Sequence, residues 1–421
     1  MMIRFYNGRV LTMDGGAEVT GQEVWVSGDK ISYVGAARAD MPQFDRQIDL
    51  KGNLLMPGFK NAHTHSAMTF CRSLADDVPL QPWLFEQIFP LEAHLTPERV
   101  YHFTKLAIME YVSGGVTAAF DMYFYRLMNA RSAADCGFRY VLCGMNCPAE
   151  QAEDEYTRCN RDYGELVSLL PGIHAEYTTS MDEIKIIADL VHRHKAPFFT
   201  HISETSSEQA QCIERHGLTP TELYESLGLF DYGGGGYHCV WLSDHDREIF
   251  KNRGLTVVSC PASNAKLASG IAPLQEYLDA GLHLALGTDG PSSNNGLDMF
   301  REMYLACVLQ KLKCADAAAG NADAMLHAAT VGGARAMGLS DCDCIAPGKQ
   351  ADLIVIDLQR PSMQPIINIP KNLVYSGSKD CVTLTMVAGK ILYENGEFFL
   401  GEAPERIYET ATAEMKKMLA E

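Results

Sequence analysis

The chain has 421 residues, with 35 Lys or Arg against 53 Asp or Glu and a formal net charge of -18. That length exceeds one small domain and suits a barrel of roughly 250 residues plus an appendage, while the acidic balance speaks against nucleic acid and anionic membranes as partners. The 13 cysteines lack a repeated Cys-x-x-Cys pair, no apolar run reaches a membrane span, and Met1-Met2-Ile3-Arg4-Phe5-Tyr6 carries no charged-then-apolar leader, so reduced thiols, mostly buried, in a cytoplasmic protein are expected.

Along the chain, the first 50 residues alternate apolar and polar positions. Segments 9–13 and 23–27 read as short strands, with turns at Asp14-Gly15-Gly16 and Gly28-Asp29. Eight short apolar runs follow, near 54–63, 116–122, 139–146, 172–178, 197–203, 236–242, 255–261 and 283–289. Helix-period segments lie between them, such as 97–112, 182–194 and 297–312. Eight strand–helix units predict an α/β fold, a closed (β/α)8 barrel of the TIM type. The segment 66–95 is longer than an ordinary connection, and such loops at the C-terminal face of a barrel build substrate pockets. The tail returns to strand-like segments at 351–356, 384–388 and 390–393. The two β-rich ends predict a small composite β-sandwich domain from 1–56 and 346–421, beside a catalytic barrel spanning 57–345.

Chemistry concentrates where the strands end. In Pro57-Gly58-Phe59-Lys60-Asn61-Ala62-His63-Thr64-His65, residues two apart on a strand point to one face, so His63 and His65 can address one ion. His192 and His194 have the same spacing within a helical segment, where such side chains diverge, and read as solvated. His201 ends the fifth run, His238 lies in the sixth and Asp289 ends the eighth. Each alone reads equally as a hydrogen-bonded core histidine or a capping aspartate. Together they would meet at the mouth of one barrel, where barrel enzymes carry their catalytic groups. Three histidines and a carboxylate suit one divalent metal, Zn²⁺ first, with Fe²⁺ or Mn²⁺ as alternatives. Such a site acidifies a water, and Asp289 can take its proton. Glu204, three residues after His201, either delivers a proton to a substrate or begins the helix that starts at Ser206-Ser207-Glu208. Gly233 to Gly236 reads as a flexible turn before a strand. A phosphate-binding Gly-x-x-x-x-Gly-Lys-Ser/Thr loop, His-Glu-x-x-His, Gly-x-Ser-x-Gly and Pro-Cys-x-x-Cys do not occur.

These residues resemble the amidohydrolase superfamily, in its branch of aminohydrolases and chlorohydrolases acting on purine-like rings. The likeness runs from Gly8-Arg9-Val10 through the His63-Thr64-His65 segment to Gly348-Lys349-Gln350-Ala351-Asp352-Leu353. Within that branch the chain is most similar to methylthioadenosine/S-adenosylhomocysteine deaminases. Three stretches carry this: Trp83 with Phe89-Pro90-Leu91-Glu92, then Ser263-Asn264-Ala265-Lys266-Leu267-Ala268-Ser269-Gly270-Ile271-Ala272-Pro273, then Gly287-Thr288-Asp289-Gly290 through Ser293-Asn294-Asn295. The resemblance implies hydrolytic deamination of an adenosine-type nucleoside by hydroxide formed at the metal. It implies His63, His65, His201 and Asp289 as metal ligands. Glu204 would shuttle protons and bind the ring, and His238 would face the nucleophile and the developing charge. Glu92, His174 and Trp83 would contact substrate, Glu92 at the ribose hydroxyls. Read alone, Glu92 is equally a helix-surface carboxylate and His174 a core strand histidine. The resemblance also implies a homodimer or larger homo-oligomer. Departures from the pattern are Ile173-His174-Ala175-Glu176 in place of Pro-His-Ser/Ala-Pro, and Cys260 in place of a commoner His or Asn. There is also no arginine within 141–145, and Arg139 just before it reads as structural. These leave the ring chemistry intact and the 5′ substituent open. The alternatives are a hydrolase of another heterocycle (guanine, oxidised guanine, a pterin or an s-triazine), or an inactive barrel used as a binding protein.

Overall fold

The computed structural model describes residues 1–144 and 147–421. The chain is α/β, and the end of the third expected strand, 145–146, lies outside the described residues. Two four-stranded parallel sheets form its centre. One orders Val167–Leu169, Arg139–Cys143, Val116–Met122 and Phe59–Thr64. The other orders Phe198–Ile202, Gly234–His238, Thr256–Ser259 and His283–Leu286. Strands such as Phe59–Thr64 and Val116–Met122 are buried at every position, because a parallel strand with both faces covered must be apolar or fully partnered throughout. Between the sheets, isolated backbone hydrogen bonds replace a ladder. Phe199 N donates to Pro171 O at 3.2 Å and His201 N to His174 O at 3.0 Å on one side, and Asp289 N donates to His63 O at 3.0 Å on the other.

Two expectations are corrected here. The fourth strand is Val167–Leu169, and 172–178 contributes only a bridge from Gly172 to Phe199 and a 3-10 turn at Glu176–Thr178. Pro171, which lacks an N–H, ends the pairing between them. Three of the four glycines read as a turn instead lie inside the strand Gly234–His238. A Cβ on Gly234 would overlap the Phe198 carbonyl oxygen, and one on Gly235 that of Thr256, so the neighbouring strands approach where only glycine fits.

The helices follow the apolar periodicity and stop at local signals. Pro97–Ser113 starts from Thr96, whose hydroxyl accepts from Arg99 N at 3.2 Å, and Met181–His194 starts from a Ser180/Glu183 capping box. The segment after the first central strand coils into a 3-10 turn at Ser66–Cys71 and a π-helical turn at Trp83–Ile88. Strands from both chain ends share a seven-stranded sheet, in which Leu54–Pro57 pairs antiparallel with Leu353–Ile356 and parallel with Arg9–Leu11. A four-stranded sheet built on Met2–Tyr6 packs against it through one apolar cluster that includes Ile3, Phe5, Val26, Leu55, Leu353 and Met386. The tail is not all strand, since it closes with the helix Pro404–Met418. Among the described residues, no helix is long and apolar enough to cross a membrane. All 13 cysteines are free, and only Cys314 is exposed.

Candidate metal centre and active site

Three imidazoles converge at the ends of the central strands. His65 Nδ1 donates to the Met122 carbonyl at 2.5 Å, and His201 Nδ1 to the His174 carbonyl at 2.6 Å. With Nδ1 protonated, each ring keeps a lone pair on Nε2, the arrangement by which a backbone carbonyl orients a metal-binding histidine. His63 is fully buried, stacks on Tyr237 at 3.8 Å between ring centroids, and has no hydrogen-bond partner at either nitrogen. Donor atoms of His63, His65 and His201 lie within 4.8 Å of one another, as do those of His63, His238 and Asp289. Asp289 Oδ1 is 3.3 Å from His65 Nε2 and 3.5 Å from His63 Nε2. A buried imidazole with both nitrogens unpartnered is costly. Beside a carboxylate and two further imidazoles, it fits a divalent cation of intermediate softness.

The charges agree with that fit. Burial drives His63 down to about 3 and His201 well below its ordinary value. Burial works against the charge of His65 too, but the Asp289 carboxylate outweighs it and pushes the ring up to about 9. Burial alone would raise Asp289, yet His63 and His65 hold it well below the usual carboxylate range. The second Asp289 oxygen accepts from Ser263 Oγ at 2.5 Å and Ser293 Oγ at 2.8 Å, which fixes the carboxylate plane. Asp289, His238 and Ser203 sit at φ 59°, 66° and 49°. Left-handed non-glycine residues at three strand ends are strained backbone, of a kind that clusters at functional sites.

Glu204 is 7% exposed and faces the same cavity. It does not serve the helix start: Thr205 caps Ser206–His216, and Glu208 is the acid of its first turn. Glu208 accepts the N–H groups of Ser203 at 3.0 Å and Glu204 at 2.8 Å, which clamps the loop that carries Glu204. Burial, with Glu204 nearby, pushes Glu208 up to about 7. Ser269 Oγ donates to Glu204 Oε1 at 2.9 Å, and Glu204 Oε2 is 3.9 Å from His238 Nε2. The other His238 nitrogen pairs with Asn264 Oδ1 at 2.7 Å. Burial opposes the charge of His238, but Glu204 and Asp289 outweigh it and raise its pKa.

The cavity above these groups has a volume of about 740 Å³ and is also lined by Trp83, Glu92 and His174. Glu92 accepts from the Tyr123 hydroxyl at 2.7 Å, and burial pushes it up to about 7. Trp83 is buried with its Nε1 unpartnered. His174 pairs with Thr178 Oγ1 at 2.7 Å, and burial pushes it down to about 3. Of the candidate site residues His63, His65, His201, His238, Asp289, Glu204, Glu92, His174 and Trp83, all border this cavity except His63, which is fully buried. His192 and His194 stay outside; His194 is half-buried and pairs with Glu153 at 2.9 Å. Arg139 pairs with Asp352 at 2.8 Å and is structural. Sequence reasoning missed the supporting groups Ser263, Asn264, Ser269, Ser293 and Glu208. The first four fall inside the stretches that carry the resemblance, which was the available signal.

The Amidohydrolase family profile matches residues 54–392. A 5-methylthioadenosine/S-adenosylhomocysteine deaminase of Pelotomaculum thermopropionicum is 38% identical over 398 residues, covering 91% of this chain and 92% of that protein. A 5′-deoxyadenosine deaminase of Methanosarcina acetivorans is 36% identical over 421 residues, covering 97% and 96%. The crystal structure of an adenosine deaminase from Xanthomonas campestris with bound zinc superposes with a TM-score of 0.93 at 32% identity, covering 100% of this chain and 98% of that one. With the profile spanning every residue of the cluster and full-length relatives on both sides, the chain belongs to the amidohydrolase family.

Proposed function

We propose that this protein is a metal-dependent hydrolytic deaminase of adenosine-type nucleosides. The observation that carries the reading is the buried His63–His65–His201–Asp289 cluster with Glu204 and His238 facing one cavity. The names of the full-length relatives support the substrate class. His63, His65, His201 and Asp289 would hold one divalent ion; the nitrogen-rich set suits Zn²⁺, and the zinc in the Xanthomonas campestris enzyme supports that choice. When bound, such an ion lowers the pKa of a water from about 15.7 to about 7. Asp289, held by two serine hydroxyls, takes the proton of the attacking water. Glu204 gives a proton to the ring nitrogen beside the carbon under attack, which weakens the aromatic resistance to addition. His238, aligned by Asn264, stabilises the charge that develops on the oxygen added to the tetrahedral carbon. Asp289 then passes its proton to the exocyclic amine, the carbon–nitrogen bond breaks and ammonia leaves, while the proton of the added hydroxyl returns to Glu204 and leaves the carbonyl of the inosine-type product. Glu92 would hold the ribose hydroxyls, His174 would contact the nucleoside, and Trp83 would wall the site.

The two central sheets are then halves of one closed eight-stranded barrel, a reading supported by the backbone hydrogen bonds that cross both seams. Residues 1–56 and 346–421 would form the composite β-sandwich beside the catalytic unit 57–345, a division supported by their shared sheet and apolar cluster.

Ammonia release tests the reaction on adenosine, 5′-methylthioadenosine, S-adenosylhomocysteine and guanine, before and after dialysis against a chelator. Release from the adenosine compounds, lost on chelation and restored by Zn²⁺, is expected. Release from guanine alone would move the protein to another heterocycle. Purified protein that holds no metal and gains nothing from Zn²⁺ would make it a binding protein.

A further inference from the structure

We propose that Glu302 is a positioning residue for the metal centre, its one buried carboxyl group holding together the two loops that grip Asp289. It rests on the deaminase reading and adds to it a residue that neither lines the cavity nor hydrogen-bonds to a proposed metal ligand. Glu302 lies in the first turn of the helix Met299–Cys314 and is fully buried. An acid at that place ordinarily answers the positive end of its own helix. Here Asp298 serves the free N–H groups, accepting from Phe300 N at 3.0 Å and Arg301 N at 3.4 Å. The Glu302 oxygens turn outward, each to a different loop. Oε2 accepts from Ala262 N at 2.9 Å, and Oε1 from Asn294 Nδ2 at 2.7 Å. Both partners are neutral, and burial pushes the carboxyl up to about 8. A buried acid without a cationic partner is destabilising. Its two acceptor oxygens supply what an apolar side chain of the same volume could not, one bond to each loop.

Both loops carry groups of the proposed chemistry. Ala262 belongs to the short helix Pro261–Lys266, where Ser263 and Asn264 follow it. Ser263 Oγ donates to Asp289 Oδ2, and Asn264 Oδ1 pairs with His238. Ser269 N donates to the Asn264 carbonyl at 2.9 Å, and the Ser269 hydroxyl reaches Glu204. In the other loop, Asn294 Nδ2 also donates to the Thr288 carbonyl at 2.5 Å, next to Asp289. Neighbouring Ser293 gives its hydroxyl to the same Asp289 oxygen that Ser263 holds. Arg301 Nη2 donates to the Asn294 carbonyl at 2.7 Å, so this loop is fixed to the helix at two points. Asp289 Oδ2 thus receives one hydroxyl from each loop, and Glu302 is bonded to both loops. A shift of one loop against the other would turn the carboxylate away from His63 and His65, because partners behind a ligand set its orientation.

The test uses Glu302→Gln in the full chain, which leaves one oxygen for two donors and sets an amide N–H against one of them. Zinc affinity, read by competition with a chromogenic chelator, should weaken about 10–100-fold, the loss typical when a partner behind a metal ligand is removed. On adenosine, kcat of the zinc-loaded variant should fall while KM stays within about threefold, since Trp83, Glu92 and His174 lie outside the two loops. A raised KM with kcat kept would assign Glu302 to the cavity wall and overturn the proposal, as would wild-type zinc affinity. A cycle with Ser263→Ala separates positioning from a general loss of stability. Both changes release the same Asp289 oxygen, so their joint loss of zinc affinity should be smaller than the product of the single losses. Independent, multiplying losses overturn the link. If Glu302→Gln does not fold, Asn294→Ala cuts one arm alone and should weaken zinc binding about tenfold; unchanged affinity there is equally fatal. The zinc measurements need no substrate. Wild-type protein that binds zinc but releases no ammonia from adenosine, 5′-methylthioadenosine or S-adenosylhomocysteine removes the deaminase reading and leaves those measurements to decide Glu302.

Discussion

Glu204 meets its neighbours through three separate contacts, and each predicts a different kind of loss. Its side chain receives Ser269 Oγ, its backbone N–H is held by Glu208, and its far oxygen approaches His238. None of these involves His63, His65 or His201. Glu204→Gln keeps the shape and the Ser269 contact in part but removes the exchangeable proton. We expect kcat to fall by about 10²–10⁴-fold, with bound metal per chain unchanged by elemental analysis. Deamination at the wild-type rate would remove Glu204 from the chemistry, and loss of metal would make it part of the ion site. Ser269→Ala leaves the proton and removes one hydrogen bond to the carboxylate, so its kcat should fall only by about tenfold. A larger loss than in Glu204→Gln would contradict the order of roles.

The strand Gly234–His238 shows how an element sets a side chain. Its glycines let the strands on either side close in, and its last residue is His238. Gly235→Ala would press a methyl against the Thr256 backbone, which cannot rotate away. Overpacking of this kind costs about 1–3 kcal/mol, read as a lower Tm. Because His238 lies three residues on, activity well below that Tm should fall as well; a wild-type Tm would show that the strands have room. The same element marks a limit of the sequence. Glycines without side chains look like a turn, and only the neighbouring strands reveal why they are needed. Val167–Leu169 was missed for a related reason: three residues before a proline carry too little periodicity to separate from a loop. By contrast, Val116–Met122 and Glu23–Ser27 match their expected spans, since long apolar or alternating runs carry their own signal. The convergence of His63, His65, His201 and Asp289, the proposed metal cluster, was legible because histidines and an aspartate at strand ends are rare residue types in diagnostic places. Its serine and asparagine partners follow no period, and Glu208 looks like any acid in a first helical turn.

Across the whole molecule, one buried charge cluster joins the chain's tail to the central sheets. Asp352 leads into Leu353–Ile356 of the seven-stranded sheet, whereas Lys60 and Arg139 belong to two central strands. Arg139 Nε and Nη2 reach the two Asp352 oxygens at 2.8 and 3.0 Å, Lys60 Nζ lies at 3.5 Å, and Ala388 N donates at 2.8 Å. Burial alone would raise the Asp352 carboxyl, but Arg139 and then Lys60 outweigh it and hold it at about 2, below its ordinary 3.8. A carboxylate depressed on folding adds stability that is complete above its unfolded pKa and is lost as pH falls through the folded one. The window here runs from about pH 4 to about pH 2, and the depression is on the order of 2 kcal/mol. Asp352→Asn keeps the shape but leaves two buried cations unpaired, a change that costs about 3–5 kcal/mol. Thermal unfolding followed from pH 7 to about pH 2 should therefore show a wide Tm gap between wild type and variant at neutral pH. The gap should narrow as the wild-type carboxylate takes up its proton, because the variant has no charge there to lose. A gap of constant width would mean that hydrogen-bond geometry, not the negative charge of Asp352, ties the terminal sheet to the strand that carries His63.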